Sequence, residues 1–457
     1  MLETIKKFIS IGEISSRTAF TLLMLVICRV GAYIPVPGID GDKVVQVFLQ
    51  LTGGSQNLFQ LVDLFSGGAF AHMTVVALGV MPYISASIIM QILVAITPSL
   101  QREIRENGEA GKRKMGRGIR LLTIVLALFQ SAMLGKYALS LNLSHPGIIV
   151  PQLVAQQILG FPWLFYFIIM LAMSTGTLFL MWIGEQITER GIGNGISLII
   201  SVGILASLPS TFGTIVRQLN LDSQEPGQMT FSSLVVLSIV FVLIILGTIL
   251  VIQGTRKIPL QYARRVIGRR ESQGSSSHIP LKVNYAGVIP VIFASSLLMF
   301  PATIAQFLSK GPWLTTFVNW LSPGSWAYTA LFVVLILFFT YFWTATQFHP
   351  EQIASDMKKN GAFIPGIRQG KPTQEFLEST MNRITLAGAV FLAFIAILPT
   401  LVGKILGIDA TISHFFGGTS LLILVGVVLD TTKQFESYLL MKRYDGFMKK
   451  GRITGRI

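Results

Sequence analysis

Only one cysteine stands in 457 residues, Cys28. It has no intramolecular disulfide partner and no second thiolate for a metal cage. Charge is scarce as well: 12% of residues are Asp, Glu, Lys or Arg, against about 25% in a soluble domain. The five histidines, His72, His145, His278, His349 and His414, are too scattered for a local metal motif. No Walker-type loop and no nucleophile–base spacing occurs. The long apolar runs hold almost no ionisable residue, so there is no carboxylate chain for protons and no ion-coordinating cluster. These absences leave an enzyme without catalytic groups and an ion-coupled transporter without its coupling site. Neither a cofactor nor a metal is expected.

What is present is apolar. Hydrophobic residues make up 52% of the chain, and the mean hydropathy is +0.65. Several runs approach or exceed the length needed to cross a bilayer, and they are continuous rather than alternating. The expectation is an all-α polytopic membrane protein. Ten spans are predicted, at about 18–34, 73–95, 119–138, 163–183, 192–208, 231–253, 285–307, 327–347, 384–402 and 412–430. Residues 1–17 are amphipathic, with Leu2, Ile5 and Ile9 on one face beside Lys6 and Lys7, which predicts an interfacial helix. The start shows no cleavable signal peptide, because the first apolar run lacks a small-residue cleavage site.

The net charge of +15 has a topological reading. With the N-terminus cytoplasmic, 30 Lys and Arg fall on the cytoplasmic side and 5 on the other, with Arg29 inside the first span. That asymmetry orients both termini to the cytoplasm. It also requires the weak fifth span, since losing it would move the basic 6–7 loop outside. Arg29 itself either snorkels to the outer interface or serves transport. Five spans precede the polar stretch Asn220–Gly227 and five follow it. An odd number per half makes the halves cross in opposite senses, the topology of an inverted repeat. The organisation is thus 1–17, a first half 18–219, a second half 220–430 with long cytoplasmic loops at 254–284 and 348–383, and a tail 431–457.

Asn57–Ala95 differs from the other apolar stretches. Leu58–Phe65 is short and carries Gln60 and Asp63, Gly67-Gly68 follows, and a full-length run comes next with Gly79, Pro82, Ser85 and Ser87. This predicts a half-segment hinged onto a span. Val80 and Ile84 share one helical face, as do Ile196 and Ile200. These pairs read either as ordinary helix packing or as part of an aliphatic constriction, which blocks water by dewetting but yields to a bulky object. The 6–7 loop carries Arg256-Lys257, Arg264-Arg265 and Arg269-Arg270, with Glu271 as its one acid. That suits phosphate contacts with RNA, or simply the inside bias or anionic lipid. In the 8–9 loop, Gly361, Pro365, Gly366, Gly370 and Pro372 predict a shaped turn presenting Arg368. The 2–3 loop mixes signs and reads as a solvated face or short hairpin.

Seven motifs run in order along nearly the whole chain: IPVPGID at Ile34–Asp40, FSGGA at Phe65–Ala69, MPYISASI at Met81–Ile88, GTLFLMWIGEQITERGIGNGIS at Gly176–Ser197, HIPLKVNYAGVIPVIFASS at His278–Ser296, GAFIPGIR at Gly361–Arg368 and FGGTSLLI at Phe416–Ile423. In these the chain resembles the SecY family, the channel subunits of the bacterial protein translocase and their Sec61 relatives. The resemblance implies two inverted five-helix halves closing like a clamshell on an hourglass pore. It implies a pore ring of Val80, Ile84, Ile196, Ile200, Ile292 and Ile423, the last two coming from the resemblance alone. Val80 stands where isoleucine is common in bacterial members. It implies a re-entrant plug of Leu58, Phe59, Leu61, Val62, Asp63, Leu64 and Phe65, with Gly67 and Gly68 as hinge. It also implies a lateral gate between spans 2–3 and 7–8, with Ser85, Ser87 and Gln130 on the first side. The implied partners are SecE and SecG in a heterotrimer, SecA, the ribosome and its RNA, signal sequences, unfolded preproteins and membrane lipids, anionic ones among them. The implied docking residues for SecA and the ribosome are Arg256, Lys257, Arg264, Arg265, Arg269, Arg270 and Arg368. The implied location is the inner, plasma membrane, with the driving force supplied by SecA and ATP or by the translating ribosome.

Overall fold

The computed structural model describes residues 12–52, 58–155, 162–218, 231–262, 266–267, 270–271, 276–308, 316, 318–322, 324–406, 412 and 419–450. Its helices are α1 (Gly12–Gly31), α2 (Gly41–Thr52), α3 (Leu58–Ser66), α4 (Met81–Ile96), α5 (Pro98–Glu106), α6 (Gly108–Ser144), α7 (Pro151–Ala155), α8 (Trp163–Arg190), α9 (Gly195–Ala206), α10 (Leu208–Gln218) and α11 (Phe231–Gln253). They continue with α12 (Ile289–Leu308), α13 (Trp326–Gln347), α14 (Pro350–Lys359), α15 (Lys371–Leu406) and α16 (Thr419–Lys450).

Seven stretches among the described residues are long and apolar enough to cross a membrane: α1, α6, α8, α9 with α10, α11, α13 and α15. The bent pair α4–α5 adds an eighth. The shorter apolar helix α12 and the apolar first part of α16, residues 419–429, complete ten. Their outward faces are apolar and exposed, as at Leu22, Val26 and Val30 on α1 and Ile239, Val242 and Leu246 on α11. Such surface is stable against lipid tails, and helices satisfy their own backbone there.

The packing repeats between the halves. In the first half α1 touches α8 and α9, α4 touches α6, α6 touches α8, and α8 touches α9. In the second half α11 touches α15 and α16, α12 touches α13, α13 touches α15, and α15 touches α16. Each of these pairings in one half has its counterpart five spans later, so the two halves are the same bundle built twice. They meet along two seams. One joins α9 to α16, and the other joins α4 and α6 to α12.

Local sequence accounts for departures from the predicted boundaries. The predicted span 73–95 becomes helical only at Met81, because 67–80 are turns with positive φ at Gly67, Gly68, Met73 and Gly79. Pro82 then sits in the first helical turn, where its missing N–H costs nothing. At Thr97 the chain bends by 103° into α5. The 2–3 loop is a solvated face that is helical: α5 packs against a basic, largely exposed extension of α6, and α6 reaches 37 residues. The fifth span starts at Gly195, where the Asn194 carboxamide oxygen accepts the Ser197 N–H at 3.2 Å as an N-cap. Gly12–Arg17 belong to α1, while 1–11 of the predicted interfacial helix lie outside the described residues. Likewise α16 runs unbroken from the tenth span through 450, across the predicted tail boundary. The polar divide Asn220–Gly227 lies outside the described residues.

The basic-loop side carries a small sheet that periodicity did not predict. Strands β1 (Thr255–Tyr262), β2 (Val266–Ile267), β3 (Arg270–Glu271) and β4 (Ser276–Lys282) fold the 6–7 loop into a long hairpin, and β5 (Ala362–Phe363) belongs to the 8–9 loop. The strand order β4-β1-β5 ties that hairpin to the 8–9 loop, with Gln261 opposite Phe363 and Tyr262 opposite Ala362. Ile258, Leu260, Leu281, Phe348, Met357, Ile364, Leu377 and Met381 form a separate core beneath it. On the other side, Asn142 accepts the Ile148 and Ile149 N–H groups at 3.1 Å each. There Asp40 accepts the Lys43 backbone N–H, which holds its carboxyl below the usual carboxylate range.

Candidate pore, plug and seam

Four helices, two from each half, bring aliphatic side chains to one place. Val80 lies at the N-terminal end of α4 and Ile84 on its first turn. Ile200 lies on α9, Ile292 on α12 and Ile423 on α16. All five are buried, Ile423 completely, and they belong to one apolar cluster. Ile196 is partly buried and packs against the same cluster. The cluster also holds Leu64 and Phe65 of α3, which packs against α9 and α12. Side chains of Leu58, Phe59 and Leu61 lie outside the described residues; their backbone is helical.

A cavity of about 360 Å³ opens above this cluster toward the basic-loop side. Ile84, Ile196, Ile200 and Ile292 form its apolar part, and Ser87, Gln91, Arg120, Glu185, Glu189 and Asn194 line its polar part. Val80 and Ile423 are not on its wall; they lie within the packed cluster. This funnel cavity therefore has polar walls and an aliphatic floor, where water would have no hydrogen-bond partner.

The turn between α8 and α9 sets the position of Ile196. A Cβ on Gly195 would stand 2.0 Å from the Gly184 carbonyl oxygen, and one on Gly184 would stand 2.4 Å from Ile196 Cδ1. Glycine at both positions lets α9 fold back directly onto α8. The Thr188 hydroxyl accepts the Gly195 N–H at 2.9 Å, and Gln434 of α16 accepts the Gly193 N–H at 3.1 Å. The second of these bonds ties the two halves together.

The predicted hinge is a pinned turn. Gly67 and Gly68 have φ of 67° and 89°. The Gly68 N–H donates to the Asp63 carbonyl at 3.0 Å, and the Asp63 carboxylate accepts the Ala71 N–H at 2.8 Å. Arg29 of α1 donates from Nη1 to the Gly67 carbonyl at 2.9 Å. Sequence reasoning had no contact partner for Arg29, because the acceptor is a backbone atom 38 residues away.

The three polar residues predicted for the gate separate. Ser85 and Gln130 line one small cavity of about 60 Å³ with Val62, Met81, Ser296, Met299 and Phe300, where α4 and α6 face α12. Ser87 instead lines the funnel, accepting from Gln91 at 3.0 Å. Ser296, which sequence reasoning missed as a polar group of this seam, reaches Met81 Sδ at 3.7 Å.

Of the predicted docking residues, Arg256 and Lys257 are exposed on β1, and Arg368 is exposed on the turn after β5. Thr373 donates to the Arg368 carbonyl at 2.7 Å, and Gln369 donates to that of Ala362 at 3.1 Å, fixing the turn's shape. Arg270 opens β3, and only its backbone is described. Arg264, Arg265 and Arg269 lie outside the described residues.

A duplicated five-helix bundle with an aliphatic cluster between its halves and a short inserted helix is a specific architecture. The family model described as SecY matches residues 74–432. The chain belongs to the SecY family. It is 61% identical over 456 residues to the protein translocase subunit SecY of Chlamydia trachomatis serovar D, covering all of both chains. The fold is that of a solved structure described as a protein conducting channel, with a TM-score of 0.62 at 18% identity, covering 96% of this chain and 94% of that one. It also matches the Sec61 of a canine ribosome-channel complex from the endoplasmic reticulum, with a TM-score of 0.59 at 16% identity and the same coverage. Membership makes the chain a multi-pass membrane protein of ten helices in two inverted halves.

Proposed function

We propose that this SecY-family chain conducts unfolded secretory polypeptides through the ring of Val80, Ile84, Ile196, Ile200, Ile292 and Ile423. The observation that carries the reading is one aliphatic cluster built by two helices from each half, with Ile84, Ile196, Ile200 and Ile292 of it flooring a polar-walled cavity. Aliphatic side chains close around a passing chain without binding it, and they keep ions out when it leaves. The α3 segment is the plug, seated against the ring from outside. The seam of α4 and α6 against α12 is the side exit, extended by α13, through which apolar segments reach lipid. Ser85, Gln130 and Ser296 lower the cost of passing polar backbone across it.

The chain has no group that consumes energy, so a partner supplies the drive. We assign that role to SecA with ATP or to the translating ribosome, docking on the joined sheet of the two cytoplasmic loops and on Arg368. SecE and SecG complete a heterotrimer. The basic loops face the cytoplasm of a bacterium, and the chain lies in the inner membrane. Cysteines placed singly at the six ring positions should all cross-link to a stalled secretory chain. Cross-links confined to one half, or absent, would remove the ring from the path.

A further inference from the structure

We infer that Arg29 is a positioning residue for the plug: its guanidinium latches the Gly67 carbonyl and thereby sets how readily α3 leaves the ring. This rests on the plug reading above.

Three observations converge at Gly67. Arg29 Nη1 reaches its carbonyl at 2.9 Å. On the other side Gly67 abuts Gly203 of α9, where a Cβ on Gly67 would stand 2.8 Å from the Gly203 Cα, and one on Gly203 would stand 2.9 Å from the Phe65 carbonyl oxygen. Gly67 also lies in the left-handed region, at φ 67°, which only glycine adopts cheaply. The turn is thus clamped between a cation on α1 and bare backbone on α9.

The chemistry makes the clamp conditional on the closed plug. Arg29 sits at the outer end of α1, half-buried, with no carboxylate within ion-pair distance among the described residues. Its other partner is Tyr33, four residues on, whose hydroxyl accepts from Nη2 at a long 3.5 Å and whose ring centroid lies 5.5 Å from the guanidinium carbon. A cation held beside a membrane needs acceptors, and here the acceptor belongs to the hinge. When the plug swings out, Gly67 carries the shorter of its two acceptors away, and Arg29 keeps only the long bond to Tyr33 and must complete its shell with water or a headgroup. A charged hydrogen bond of this kind shifts an equilibrium by roughly ten- to a hundredfold. That is enough to keep an idle channel shut, and weak enough for an incoming chain to break.

The test uses the assembled complex in lipid vesicles, with Cys28→Ala removing the native thiol and Leu64→Cys reporting plug exposure to a membrane-impermeant maleimide from the outer side. A stalled secretory chain should accelerate labelling in the Arg29 parent; if it does not, the plug reading falls and the latch with it. In the idle complex Arg29→Gln should label about tenfold faster than the parent. Arg29→Lys, which keeps a cationic donor, should label more slowly than Arg29→Gln. Gly203→Ala, which presses on the Phe65 carbonyl with Arg29 intact, should also speed labelling, and it decides the matter if Arg29→Gln does not assemble. Unchanged rates in these variants, with a stalled chain still accelerating the parent, would overturn the latch while leaving the plug in place.

Discussion

Arg120 and Glu185 form a two-point ion pair in the funnel wall. Arg120 Nε meets Oε1 at 3.0 Å and Nη2 meets Oε2 at 2.8 Å. The pair joins the basic end of α6, which borders the seam with α12, to α8 of its own half. In the proposed opening of the seam, this pair would help hold α6 on α8 as α12 parts from α6. The pair is partly exposed, so its worth is modest, about 1 kcal/mol. Arg120→Glu should weaken export and lower the melting temperature of the purified complex slightly. Adding Glu185→Arg should restore both, as read by an export assay on single and double variants.

The ring makes a second prediction. Ile84→Asn places an amide on the funnel floor, and Ile423→Asn places one in fully buried surroundings. Both should raise ion conductance of the idle channel in planar bilayers and let defective signal sequences through. The Ile423 variant should also lose about 2–4 kcal/mol of stability, because its amide has no partner there. Conductance equal to that of the parent in both would refute the seal.

Charge reversal at Arg368 acts on an exposed side chain of a turn held by its own hydrogen bonds. The level of assembled protein should stay the same, because surface substitutions away from packed features cost within about 0.5 kcal/mol. SecA-dependent export should fall severalfold. Normal export would take Arg368 out of the partner surface.

Neutralising Arg264, Arg265, Arg269 and Arg270 together should weaken ribosome binding and flatten its salt dependence. Every phosphate that goes unneutralised reduces the slope of log affinity against log salt by about 0.7–0.9. Sedimentation at several salt concentrations measures it, and an unaltered slope would leave these residues as topology signals.

Gly195→Ala tests the fold where the ring is mounted. Its Cβ would meet the Gly184 carbonyl, a backbone atom that cannot swing aside. The α8–α9 turn must open, at a cost of about 1–3 kcal/mol. Less assembled protein and a lower melting temperature are expected, whereas Ser197→Ala two residues on should change neither.

Much was legible without coordinates because lipid imposes simple rules. The apolar runs, the 30-to-5 charge asymmetry and the odd span count per half yield ten helices in two inverted halves. The face shared by Val80 and Ile84, and the one shared by Ile196 and Ile200, follow from helical spacing. Ile292 and Ile423 have no such local signal, and the resemblance alone pointed to them. Less legible were the positions where backbone meets backbone. Periodicity carried the second span back to Met73, but the left-handed turns at Gly67, Gly68 and Gly79 delay the helix to Met81. The 6–7 loop read as basic doublets suited to phosphate contacts or to the inside bias, and its pairing with β5 depends on a strand a hundred residues away.

Asn57–Ala95 shows where the two levels divide. Hydropathy and the Gly-Gly pair alone dictate a short helix joined by a turn to a span, since those properties act over a few residues. What that helix rests on is a matter of tertiary contact. Leu64 and Phe65 lie against the aliphatic cluster, Gly67 against Gly203, and the Gly67 carbonyl on Arg29. Such contacts join groups tens to hundreds of residues apart and use backbone atoms that every residue shares. No local pattern marks them, and they exist only once two inverted halves have closed on the same segment.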